Sequence, residues 1–126
     1  MTINTMQDVV NDFFYFERKN KSVVVLTSSG HHMQIVRDMI SEKIKLPHPY
    51  VFDFNKSNHC LSVKLGDFEL EILIRRVDDV QDLLGWQLDL IVVSGFGYTA
   101  TQIDKLNRFT RQNKRVETRF FDEMLF

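Results

Sequence analysis

Two alternating runs meet at a glycine turn near the middle of the chain. Leu61, Val63 and Leu65 alternate with Ser62 and Lys64; Gly66-Asp67 interrupts; Phe68, Leu70, Ile72 and Ile74 then alternate with Glu69, Glu71 and Leu73. A period of two sends successive side chains to opposite faces of a strand, and a two-residue glycine turn joins antiparallel neighbours. The pattern predicts a β-hairpin with Gly66-Asp67 at its tip. Leu61, Val63, Leu65, Phe68, Leu70 and Ile72 share its buried face, and the polar alternates face solvent.

The hairpin is flanked by runs of another kind. Ser22–Thr27 and Leu88–Val93 are short, continuous and mostly apolar, the pattern of strands buried on both faces. Helical spacing surrounds them. Met6, Val9, Val10, Phe13 and Phe14 follow a Thr5/Asp8 capping box, and Met33, Val36, Ile40 and Ile44 follow a serine cap. Ala100–Gln112 follows a second box, Thr99/Gln102, with Ile103, Leu106 and Phe109 or Thr110 as its core face. Residues 50–54 read as a short strand, and 77–84 as a short helix or turn. Arg115–Phe121 reads as a last strand with Val116, Thr118 and Phe120 on one side. The whole is one α/β domain over residues 1–126: three layers, a mainly parallel sheet and a β-hairpin insertion.

Composition narrows the function. Net charge is -1, so no bulk attraction draws the chain to nucleic acid. A single cysteine, Cys60, rules out an internal disulfide and suits a reducing, cytoplasmic setting. No apolar run approaches the roughly 20 residues of a membrane span, and Met1–Gln7 lacks the blocks of a signal peptide.

Ligands of open α/β sheets sit beyond the carboxyl ends of the parallel strands. Two loops hold that position. Thr27–His32 offers Ser28, Ser29, Gly30 and His31, and Ser94–Thr99 offers Gly95, Gly97 and Thr99. Small residues, hydroxyls and free amides at a helix start suit an anion, although the turn itself also demands such residues. His31 and His32 point about 100° apart on a helix and do not share a metal from it. His48 and His59 stand elsewhere, so neither metal nor cofactor is expected. Lys105, Arg108 and Arg111 recur every three residues and continue into Arg115, a stripe able to touch phosphates. Nearby Asp104 and Glu117 dilute its charge.

The element order resembles the ATPase core of viral large terminases and related helicase-like P-loop enzymes. A helix over Asp8–Phe16 leads into Lys21–Ser29, a strand ending in small hydroxyl residues. A hairpin, a glycine turn at Leu83-Leu84-Gly85-Trp86 and a hydrophobic strand at Leu88–Val93 follow. The resemblance implies a P-loop ATPase-like fold of viral or mobile-element origin. It also exposes what is missing. There is no G-x-x-x-x-G-K-[ST], and Ser94-Gly95 stands where the family has its Asp-Glu pair. Without the lysine and the acids, ATP hydrolysis by the family's route is not expected.

The reading is a non-catalytic ATPase-like domain that acts by binding a protein partner. Its expected anchors are Trp86, Phe96, Tyr98 and Phe126, aromatic residues in turns or at the terminus. A nucleic-acid accessory role through residues 105–119 is the first alternative, and a small nucleotide- or phosphate-binding enzyme the second.

Overall fold

The computed structural model describes residues 3–83, 85–95 and 97–122. Thr5 caps α1 (Met6–Asn11) through a complete capping box with Asp8. The helix widens into a π-helical turn over Asp12–Phe16, where Glu17 N–H donates to Asp12 O at 2.8 Å. Then come β1 (Lys21–Thr27), α2 (Gly30–Lys43), β2 (Asp53–Asn55), β3 (Cys60–Leu65) and β4 (Phe68–Arg76). A 3-10 segment (Val77–Leu83), β5 (Leu90–Ser94), α3 (Ala100–Gln112) and β6 (Glu117–Phe121) complete the order.

Among the described residues six strands form one sheet in the order β2-β3-β4-β1-β5-β6. β1 runs parallel to both β4 and β5, and β5 parallel to β6. β2 and β3 are added antiparallel on the β4 side. The hairpin register is the one the alternation demands: Leu61 faces Ile72, Val63 faces Leu70 and Leu65 faces Phe68 across the Gly66-Asp67 turn. Gly66 takes φ 62°, the left-handed backbone such a turn needs.

The apolar side chains divide between the two faces of the sheet. Val23, Val25, Leu61, Leu70, Ile72 and Val92 pack under α1 and α2, with Met6, Val10, Phe13, Val36 and Ile40. Val24, Leu26, Leu73, Ile91 and Val93 pack on the other face, under the 3-10 segment and α3. The chain is thus a mixed α/β protein with a six-stranded, mostly parallel sheet flanked by helices. Among the described residues no helix is long and apolar enough to cross a membrane.

Several expectations shift. The short strand starts later, at Asp53. β5 starts at Leu90, and Asp89 just before it is tied to β1: Ser22 N–H donates to Asp89 Oδ2, and Asp89 N–H to Ser22 O, both at 2.8 Å. On α3, Ile103 is exposed and Gln102 is buried in its stead. On β6, Phe120 is 70% exposed while Phe121 joins the core beneath α1 and α2. As an edge strand, β6 packs fully on neither face, so alternation alone could not rank its residues. Leu84 lies outside the described residues.

Candidate functional site

β1 and β5 are parallel neighbours, and the helices that follow them cover opposite faces of the sheet. The space beyond their carboxyl ends is therefore a topological switch point, where sheets of this kind hold ligands. Ser29 caps α2 by accepting the His32 N–H at 3.1 Å. Thr99 caps α3, and the Gln102 side chain accepts the Thr99 N–H at 2.9 Å. The two expected loops do come together here.

What joins them is His32. Its Nδ1 accepts the Ser28 N–H at 3.2 Å and lies 3.2 Å from Ser28 Oγ. Its Nε2 lies 3.3 Å from Ser94 Oγ. A ring nitrogen that accepts a main-chain N–H carries no proton, so the geometry assigns the Nε2–H tautomer, donating to Ser94. Ser94, only 1% exposed, donates its own hydroxyl hydrogen bond to Leu26 O at 3.0 Å. Tyr98 closes the other side: its hydroxyl lies 2.6 Å from Ser94 O and 3.0 Å from Leu26 O. Burial pushes the Tyr98 pKa up to about 12, outweighing its bonds with Ser94. The Gln102 amide donates to Ser28 O at 2.8 Å and to Asp78 Oδ2 at 3.2 Å, tying α3 to the β1 loop.

The Ser28–His32 pair has the spacing of a nucleophile and base, but its surroundings argue against that use. An activated serine needs a base whose lone pair is free for the hydroxyl proton and whose far nitrogen is oriented by an acid. Here the Nδ1 lone pair is already engaged by Ser28 N–H, and a serine hydroxyl stands where the acid would be. The network is a plug that satisfies its own polar groups.

Gly95 makes the plug possible. Its φ is 71°, and a Cβ there would stand 2.8 Å from the His32 ring. Gly95→Ala is expected to lower stability by about 1–2 kcal/mol through left-handed strain, and to push His32 off Ser94. A thermal melt together with the His32 imidazole NMR signals reads both effects; an unchanged melt and unchanged signals would contradict the plug.

The remaining expected site residues scatter. Ser29, Gly30, His31, Gly97 and Thr99 are exposed on the rim. Lys105 Nζ is held 3.1 Å from Asp78 Oδ1, and Arg111 Nε donates to Asn107 O at 3.3 Å. Arg108 and Arg115 are exposed, so the basic stripe is interrupted at its first member rather than forming a continuous block. Trp86 is 43% exposed, whereas Tyr98 is half-buried within the plug. Phe96 and Phe126 lie outside the described residues. Cys60 is buried, and burial raises its thiol to about 11, which makes it a poor nucleophile at neutral pH.

The sequence places His32 and Ser94 at the ends of the two loops and Gln102 in a capping box, but gives none of them a part in the site. The Ser28-x-x-x-His32 spacing was a usable signal, since a loop serine four residues before a histidine on the first helical turn is within its reach. Comparison with protein-family models, curated proteins and solved structures finds no significant match to this chain.

Proposed function

We propose that this chain is a binding domain without turnover of its own, and that its partner is a protein. The observation that carries the reading is the plugged switch point: His32, Tyr98 and Gln102 fill the place where a sheet of this topology holds its substrate. The mainly parallel sheet with a hairpin, together with Ser94-Gly95 at the end of β5, fits an ATPase-like core without the residues for phosphoryl transfer. Exposed rings supply the means of contact. Tyr15, Phe16 and Phe120 are each more than half exposed, and Trp86 adds a fourth. Large rigid side chains of this kind dominate interface energies.

The test has two parts. Purified protein with magnesium and ATP, with and without DNA, is expected to release no phosphate above a buffer blank. Proteins co-purified from the native host are expected to be lost on Phe16→Ser or Phe120→Ser, with the melting curve kept. Sustained phosphate release that survives repurification would overturn the first part. DNA binding that falls steeply with salt and vanishes in Arg108→Glu/Arg111→Glu would replace the protein partner with nucleic acid.

A further inference from the structure

A groove of about 680 Å³ opens beside the plug, over the carboxyl end of β4, between the first turn of α2 and the β2–β3 turn. Its position sets it apart from the switch point: it lies on the β4 side of β1, where β5 and α3 contribute nothing to its lining. Four cationic side chains line it, Arg37, Lys56, Arg75 and Arg76, against two carboxylates, Asp79 and Asp82.

These cations are not equally committed. Arg76 Nε donates to Asp79 Oδ2 at 2.8 Å. Arg37 pairs with Asp38 at 3.0 Å and lies 4.9 Å from the centre of the Phe54 ring. Arg75 differs. Its Nη1 donates to the carbonyls of Asn58, His59 (3.3 Å) and Ile74 (3.0 Å), and among the described residues it makes no salt bridge. His59 takes φ 45°, a left-handed conformation unusual for any residue but glycine, in the turn that supplies two of those carbonyls. The carbonyls fix the guanidinium but bring no counter-charge. Asp82 and Asp79 act on it through space without a salt bridge, and burial still outweighs them, leaving a desolvation cost that an anion would offset. Burial indeed pulls the Arg75 pKa below its ordinary value. Lys56, exposed on the facing turn, also makes no salt bridge among the described residues. Gly30, at the start of α2, borders the groove with open space where a Cβ would stand.

We propose that this groove binds a small phosphate-bearing molecule, with its phosphoryl oxygens on Arg75 and Lys56 beside the amino end of α2. Arginine's fork suits the several oxygens of a phosphoryl group, and the helix start favours negative charge. The volume is that of a small-molecule site rather than a nucleic-acid track. With a net charge of -1, the chain as a whole gains little from a polyanion.

The test is calorimetric titration of the full chain with AMP and with pyrophosphate, and with a thymidine oligonucleotide as the macromolecular arm. At least one small probe is expected to bind saturably. Arg75→Gln is expected to weaken it about tenfold, the effect of losing one charge-assisted contact; Lys56→Gln should weaken it severalfold, and Arg18→Gln, an exposed change before the amino end of β1, should leave it unchanged. If Arg75→Gln fails to fold, Lys56→Gln/Arg37→Gln, both changes at the surface, carries the test. No saturation by either small probe up to about 10 mM would overturn the proposal. Binding untouched by the groove variants, or binding of the oligonucleotide alone, would do the same.

Discussion

Replacing Leu70 with Ala is expected to destabilise the protein by roughly 2–5 kcal/mol. Leu70 has no exposed surface and sits where the hairpin joins the parallel sheet, opposite Val63 on β3 and Lys21 on β1. Its side chain belongs to the core beneath α1 and α2. Truncation removes apolar contact and leaves a void that the strands on either side cannot close without losing register. Phe68, two residues nearer the tip on the same face, is 38% exposed, so Phe68→Ala should cost much less. Urea denaturation reads the contrast as a large shift in midpoint for Leu70→Ala at unchanged slope. Equal midpoints for the two variants would contradict the hairpin's place in the core.

The second large effect is expected at Lys21. Its ammonium is buried, with a side chain 9% exposed, and it bonds Asp12, whose side chain is 14% exposed. A second carboxylate, Glu17, lies 3.1 Å away at the surface. This contact anchors the π-helical turn after α1 to the start of β1. Lys21→Met removes the cation and leaves the Asp12 carboxylate nearly buried without its partner, at a cost of about 3 kcal/mol. Adding Asp12→Asn should recover part of that loss.

The pH dependence follows from both ends of the contact. Burial acts to lower the Lys21 pKa, but hydrogen bonds from Lys21 to Asp12 and Glu17 outweigh it and raise the pKa above 10.5. A raised amine pKa stabilises fully below the unfolded value, and that contribution is lost as pH climbs through the folded one. Glu17 is held below 4.5, first by its hydrogen bond with Lys21, so its part is present above 4.5 and fades as pH falls through the lowered value. The gap between wild type and Lys21→Met should thus be flat from about pH 5 to 10 and shrink at higher pH. A gap that grows above pH 10 would contradict the assignment.

Features set by neighbours in the chain were legible in the sequence. The Thr99/Gln102 box and the spacing of Leu106 and Phe109 placed α3 at its observed bounds, and the Gly66-Asp67 turn set the hairpin register. Features set across the sheet were not. Gln102 reads as a cap from its spacing, and only the approach of the β1 loop turns its amide inward to Ser28 O. Ile103 then points away from the core although it is the more apolar of the two. His32 and Ser94 lie far apart in sequence and meet only because β1 and β5 are neighbours. The cationic groove is assembled from α2, the β2–β3 turn and the end of β4, and no spacing rule links those segments.

The plug is tested most directly by the reactivity of the histidines. Diethyl pyrocarbonate acylates an imidazole nitrogen whose lone pair is free, and fragment mass analysis locates each adduct. His31, His48 and His59 are exposed, and His31 is the immediate neighbour of His32, so the native protein carries its own controls. With Nδ1 accepting from Ser28 and Nε2 donating to Ser94, His32 is expected to stay unmodified while the other three react, and to react with them once the chain is unfolded. Modification of His32 at the rate of His31 in the folded protein would show the switch point open, and the account of a domain closed to substrate would fail.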